Sequence, residues 1–285
     1  MKDLFPRTTV GGVSVSRMII GTNWMAGWSH TGAAADAMIH ARNDDPNNLI
    51  PMLETFVNNG IDTIMAPMAK AQNVLTAVRE TEQKLGKKMI IVDTPSINVE
   101  DSAAGRREAE ATIRTCRENG STFCLLHHVS VEQLINKEKH EIRRIEDYLK
   151  MVRDNGLIPG FGAHMPEVIT YADEQGYDVE TYIQIYNCMG FLMQVEIETV
   201  NRVIRKAKHP VMTIKPMAAG RTTPFVGLNF SWATIRDCDM ITCGCFTEKE
   251  AAEDIEISRA AMERRAPDLA GRSSPDTNQV AVRHD

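Results

Sequence analysis

Residues 120–130 read GSTFCLLHHVS, and the fold of the chain follows from how this stretch is read. Thr122 to Leu126 is a short run of β-branched, aromatic and aliphatic residues, the content of a buried strand. A helical run from Arg106 to Asn119, with Ala109, Ile113 and Cys116 on one face, precedes it and stops at Asn119-Gly120. The strand ends in two adjacent histidines. Alternate residues of an extended chain point to opposite faces, so one of His127 and His128 is expected to face inward and the other to begin the loop.

The same strand-then-helix unit repeats in both directions. Upstream, strands are expected at Met18 to Gly21, 61–65 and 89–92, separated by helices opening at Asp45-Pro46 and spanning Ala71 to Leu85. Downstream, a helix from Lys139 to Asn155 leads to a strand at Leu157 to Gly162. Further strands follow at Thr181 to Tyr186, Val211 to Lys215 and Met240 to Cys243, each with a helix behind it. Trp24 to Asp44 shows no periodicity and reads as a long loop. Thr8 to Val15, turning at Gly11-Gly12, reads as a hairpin that would close the bottom of a barrel. Eight units in one chain predict an α/β fold, a (β/α)8 TIM barrel with an N-terminal β-hairpin, over residues 1–266. An open, doubly wound sheet is the competing class, but none of the eight runs carries the charge of an edge strand. Residues 267–285 are polar and aperiodic and read as a C-terminal tail.

Composition bounds the rest. The chain has 285 residues, 43% hydrophobic and 25% charged, as ordinary globular proteins do. A net charge of -6 and the absence of long basic blocks argue against nucleic acid as a partner. No apolar run reaches the roughly 18 residues of a membrane span, and the N-terminus lacks the apolar core of a signal peptide. The expected partner is a small-molecule substrate, the expected location cytoplasmic, and the six cysteines are read as reduced thiols.

In a barrel the C-terminal strand ends share one mouth, where chemistry is built. Asp93, His127 and His164 stand at three successive strand ends. They make a sensible ligand set for a divalent metal such as zinc or manganese, and an equally sensible acid–base network. Lys215, at the seventh strand end, is a candidate to neutralise an anionic substrate, to stabilise an enolate or, with a lowered pKa, to form a Schiff base. Snorkelling to solvent is its structural alternative. His128 and Lys70 are further acid–base candidates. Trp24, Trp28 and Tyr186, with Asn187, offer flat and polar surfaces for a sugar-like substrate, or serve packing. Cys245 reads more simply as a packed thiol than as a nucleophile.

The order of these motifs resembles the aldo/keto reductases. GGVSVSRMIIGTNW (11–24) looks like that family's bottom hairpin and first strand, and FCLLHH (123–128) its fourth strand with the site histidine. NGLIPGFGAH (155–164) and YIQIYN (182–187) are similar to its fifth and sixth strands. KPMAAG (215–220) is similar to its seventh, and ITCGCFTEKEAAEDI (241–255) to its eighth strand with the phosphate-receiving helix start. The resemblance implies carbonyl reduction with NAD(P) and an Asp, Tyr, Lys, His tetrad. It implies cofactor contacts at Gln184, Gly244 and Thr247.

The tetrad itself is largely missing. In GIDTIMAPMAKAQ (60–72), Met65 falls where the family has its aspartate and Lys70 about where it has its tyrosine. Asp93 or Thr94 answers its lysine, and only His127 matches. Ala163-His164 replaces the pair that holds the nicotinamide carboxamide, and no clamp for a 2′-phosphate is evident. Three functions are therefore weighed. The first is altered, non-redox chemistry on a small polar substrate, with or without a metal. The second is a nicotinamide-dependent oxidoreductase with a relocated acid–base residue, and the third a non-catalytic binding barrel.

Overall fold

The computed structural model of the chain describes residues 4–269, so most of the tail expected at 267–285 lies outside the described residues. A hairpin opens the chain: β1 (Arg7–Val10) pairs antiparallel with β2 (Val13–Ser16) around Gly11-Gly12, both at positive φ. Eight strands then close a parallel barrel. In chain order they are β3 (Met18–Gly21), β4 (Thr63–Ala66), β5 (Ile90–Asp93) and β6 (Phe123–Leu126). After a small antiparallel hairpin, β7 (Ile135–Asn136) with β8 (Glu141–Ile142), come β9 (Ile158–Ala163), β10 (Thr181–Ile185), β11 (Val211–Ile214) and β12 (Met240–Gly244). Each barrel strand pairs with the next, and β12 closes on β3 through Gly21 opposite Gly244.

Side-chain alternation sorts the strand residues into two layers. Ile19, Met65, Val92, Phe123, Leu125, Ile183, Met212 and Met240 form the barrel interior. Val10 and Val15 of the hairpin pack into the same cluster, so the hairpin plugs the barrel. The other strand face packs on the helices α2 (Ile50–Asn58), α3 (Gln72–Leu85), α4 (Ala103–Glu118), α6 (Ile145–Asp154), α7 (Glu167–Gln175), α8 (Ile197–Lys206), α9 (Pro224–Thr234) and α10 (Glu248–Glu263). No helix among the described residues is long and apolar enough to cross a membrane.

Two local expectations fail. The loop expected over Trp24 to Asp44 contains α1 (Ala33–Asn43), which buries only Ile39 and Asn43. Five alanines make it helical by propensity, and a helix with so narrow a buried face leaves no apolar stripe in the sequence. The helix expected from Lys139 begins instead at Ile145. His140 and Arg144 adopt positive φ, and the Tyr177 hydroxyl accepts a 3.0 Å bond from the Ile142 amide, so tertiary contact holds residues 135–142 as the β7–β8 hairpin.

Candidate active site

The C-terminal strand ends open into a cleft of about 850 Å³. Met65, Ile183, Ile214 and Thr242 form its floor, and Trp24 and Trp28 stand on one wall. Its ionisable side chains fall into three groups: His127, His128 and His164; His30, Lys215 and Arg221; and Glu250, Glu253 and Asp254. A more open depression of about 930 Å³ lies outside the barrel, beside the β7–β8 hairpin. Its charges serve the fold, as in the 2.9 Å ion pair of Arg144 with Asp101. The chemistry is concentrated at the strand ends.

Contrary to the one-in, one-out expectation, both His127 and His128 line the cleft. Strand pairing ends at Leu126, His127 is still extended, and the chain turns into a helix at His128. His127 caps a four-residue helix, α5 (His128–Val131), its Nδ1 accepting from the Val129 amide, and His128 begins that helix. The His128 ring stacks on His164 with centroids 3.6 Å apart and planes at 17°, and His127 lies 4.3 Å from His128. Gly162 allows this approach, since a Cβ there would sit 3.2 Å from the Leu126 oxygen and 3.3 Å from the His128 nitrogen.

Glu132 ties the stack together. Its Oε1 accepts from the backbone amides of His164 at 2.6 Å and Met165 at 2.9 Å, and its Oε2 lies 3.6 Å from His128 Nδ1. Burial alone would raise the Glu132 carboxyl, but the nearby His128 ring and the two amide bonds outweigh it and hold the pKa below the usual value. Burial, then His128 and Lys70, lowers His127 to about 4. Burial and His128 lower His164 to about 4 as well. Both rings are therefore neutral at pH 7. The acceptor nitrogen of His127 is the Nδ1 that takes the Val129 amide, so its Nε2 carries the proton, and His164 is the ring left to act as a proton acceptor.

On the other side of the mouth, Lys215 Nζ lies 2.9 Å from His30 Nε2, which is also 3.0 Å from Asn23 Nδ2. An ammonium and a carboxamide NH2 can only donate, so Nε2 is the acceptor and the His30 proton sits on Nδ1. Burial first, then Lys215, lowers the His30 pKa, which agrees with a neutral ring. Burial brings Lys215 down to about 8. Lys215 also holds a left-handed backbone, φ 60, directly before Pro216, a conformation that costs a bulky residue about 1–3 kcal/mol.

The remaining candidates go elsewhere. Asp93 is not at the mouth: Val92 belongs to the barrel interior, so Asp93 points out toward the helices. Its carboxylate accepts from the Met68 amide at 3.1 Å and the Ser121 hydroxyl at 3.1 Å, and burial raises its pKa. The expected Asp93, His127, His164 ligand set is therefore not assembled. No group of three His, Cys, Asp or Glu among the described residues is placed to hold a metal ion. The lone pairs of imidazole lie in the ring plane, so the stacked His128 and His164 rings do not aim them at a common point.

Tyr186 is buried away from the cleft, its hydroxyl bonded to Asn201 at 2.8 Å and Thr234 at 3.0 Å. Asn187 pins the loop after β10 through Met189 and Phe191. Neither lines the cleft; Trp24 and Trp28 do. Lys70 is exposed on the turn after β4, outside the cleft lining but near enough to His127 to disfavour its protonation. Cys243 and Cys245 are packed thiols, pushed well above the ordinary value by burial and then by Asp254.

The residues present do not fit a nicotinamide cofactor. Gln184 lies on the strand face opposite Ile183, its amide donating to the His164 carbonyl at 3.2 Å. Gly244 lines the cleft, but Thr247 caps α10, accepting from the Glu250 amide. The Glu250 carboxylate accepts from the Phe246 amide at 2.7 Å. The Phe246 and Glu250 amides at the helix start are thus taken by the chain's own side chains, and the acidic residues Glu250, Glu253 and Asp254 line that end.

No family model matches the sequence, and no curated protein matches it. Solved structures match in fold. A candidate aldo-keto reductase from Pseudomonas aeruginosa superposes with a TM-score of 0.63 at 15% identity, covering 92% of this chain and 98% of its own. An aldo/keto reductase from Brucella melitensis gives 0.56 at 11% identity, over 92% and 99% of the two chains. What the chain shares with them is its fold, the closed (β/α)8 barrel. At such identities the likeness is one of fold. A ribulose-1,5-bisphosphate carboxylase/oxygenase from Pyrococcus horikoshii OT3 also superposes, at 0.50 and 11% identity, over 78% of this chain and 56% of its own. The chemistry must be argued from the site.

Three site residues escaped the sequence reading. His30 and Arg221 sit in loops without periodicity. Glu132 left a readable signal, because His128 and Glu132 are four apart and meet on one helical face.

Proposed function

We propose that the protein is an acid–base enzyme acting on a small polar substrate, moving a proton at a carbon next to a carbonyl. What carries this reading is that neutral imidazoles from two strand ends and a lysine–imidazole pair line the same cleft. His164 is the base, neutral down to about pH 4, while His127, its Nδ1 held by the Val129 amide, presents Nε2–H as a donor to the substrate oxygen. Lys215 and Arg221 supply positive charge to an oxygen that becomes negative as the proton leaves. Glu132 and the His128 ring are positioning groups. Trp24 and Trp28 shield the substrate from water and offer faces to its apolar edges. The reading needs neither the metal set, which the strand geometry splits, nor a nicotinamide, which the α10 end does not accommodate.

A nicotinamide-dependent oxidoreductase is the second reading, favoured by the fold of the superposed reductases. Incubating the protein in D2O with pyruvate, glyceraldehyde and related small oxo compounds tests the first. Deuterium incorporation seen by NMR, falling about 100-fold or more in His127→Ala or His164→Ala, is the expected result. No exchange with any of them, together with reduction of the same compounds by NADH, would replace the first reading with the second.

A further inference from the structure

We infer that Lys215 is a covalent carbonyl-binding residue: its amine, held by His30 inside the cleft on a strained turn, forms a Schiff base with a small aldehyde or ketone. This deepens the acid–base reading and rests on it for what happens to the bound substrate.

Four observations converge on this lysine. Its hydrogen-bond partner is an imidazole acceptor rather than a carboxylate, at 2.9 Å, so the bond survives loss of the ammonium proton. Asn23 Nδ2 bonds the same Nε2 at 3.0 Å, keeping that nitrogen toward the lysine. The backbone holds a left-handed conformation before a proline, and Ala218 and Ala219 in the same turn share it. Such strain persists where surrounding contacts hold it, and it clusters at functional sites. The floor beneath is apolar, with Met65, Ile183 and Ile214, which favours neutral amine over ammonium.

The chemistry balances without an oxidant or reductant. The Nζ lone pair attacks the carbonyl carbon, a C–N bond forms, and the carbonyl π pair moves to oxygen, which takes a proton. A proton leaves Nζ for His30 Nε2. That proton passes to the new hydroxyl, water departs, and nitrogen's pair closes the C=N+ bond. Amine, carbonyl and one proton give iminium and water. The iminium then accepts the electrons released when a neighbouring imidazole removes a proton from the adjacent carbon. Arg221, in the same cleft with its guanidinium 3.9 Å over the Phe191 ring, is the permanent cation available to an anionic group on the substrate.

With its pKa near 8, about a tenth of Lys215 is neutral amine at pH 7, roughly 200 times the fraction of an ordinary lysine. The experiment is reductive trapping. The full chain is incubated separately with pyruvate and with glyceraldehyde in sodium cyanoborohydride at pH 7, digested and mapped by mass spectrometry. Lys215 should be labelled at least about tenfold faster than the exposed Lys88 and Lys150, given that amine fraction. Lys215→Met should remove that adduct and leave the others unchanged. Labelling of Lys215 no faster than of Lys88 in the wild type, with both probes, overturns the inference. That result needs no variant to fold. Trapping requires no proton transfer from carbon, so it separates the two claims. Trapping without deuterium exchange sinks only the acid–base reading, and exchange by the wild type without preferential trapping at Lys215 sinks only the covalent one.

Discussion

The imidazoles of His128 and His164 lie face to face, 3.6 Å between centroids, although 36 positions separate them in the chain. Parallel pairing of Leu126 with Phe161 brings the ends of β6 and β9 side by side, and Gly162 lets the backbones close. Two cations at that separation repel strongly, so protonating one ring disfavours protonating the other.

The consequence is a titration shifted to acid. His127 faces His128, Lys70, Glu132 and Lys215, and His164 faces His128, Glu132, Lys215 and His127. Both are lowered to about 4, against about 6.5 in the unfolded chain. Between those values the unfolded state binds more protons, so stability rises with pH across the interval. The contribution of these rings is complete above about pH 6.5 and is lost as pH falls through about 4. NMR of the imidazole C–H resonances, assigned through His127→Ala and His164→Ala, should show these two rings still neutral at about pH 5.5. Titration of either assigned ring near about 6.5 would contradict the buried, stacked arrangement.

Glu132 is the support whose loss should be felt first. Glu132→Ala leaves the His164 and Met165 amides without their acceptor and should cost about 1–3 kcal/mol. Glu132→Gln keeps a carbonyl oxygen for those amides and should cost less. Denaturant unfolding midpoints of the two variants decide it. Equal losses would mean that the charge beside His128, and not the amide bonds, is what matters.

Asp93 and Tyr186 separate fold from chemistry. Tyr186→Phe removes bonds to Asn201 and Thr234 behind the barrel and should cost about 1 kcal/mol while leaving deuterium exchange unchanged. Asp93→Asn should likewise alter stability without altering zinc or manganese uptake, because its carboxylate faces Ser121 and the Met68 amide. Metal uptake by the wild type that disappears in Asp93→Asn would restore the ligand set that the strand geometry takes apart.

The barrel was legible because eight apolar runs, each followed by a helical period, admit few other closures, and the order of motifs added independent weight. The site was half legible. Strand-end position found His127, His128, His164 and Lys215, but it could not say which face a terminal residue takes. One register step is enough to put Asp93 behind the sheet while His164 faces the mouth. His30 was out of reach for another reason. It comes from the connection after β3, and only the folded chain carries it to a lysine 185 positions away. α1 was missed because alanine-rich helices leave no apolar stripe.

The last prediction concerns the end of the cleft formed by β12 and α10. Dinucleotide phosphates bind helix N-termini through free amides and the positive end of the helix dipole. Here the Glu250 amide is bonded to the Thr247 hydroxyl, and the Phe246 amide to the Glu250 carboxylate. Glu250, Glu253 and Asp254 then line the cleft beside them, so a phosphate entering there meets like charge. Of the nearby cations, Arg42 donates to the Phe246 carbonyl at 2.6 Å and lies over the Phe246 ring. Fluorescence titration should find neither NADH nor NADPH bound at submicromolar concentration. Glu250→Gln, by removing a charge while keeping a side-chain acceptor for the Phe246 amide, should strengthen whatever weak binding exists. A submicromolar preference of the wild type for NADPH would show that this end rearranges to receive a phosphate, and would return the chain to nicotinamide chemistry.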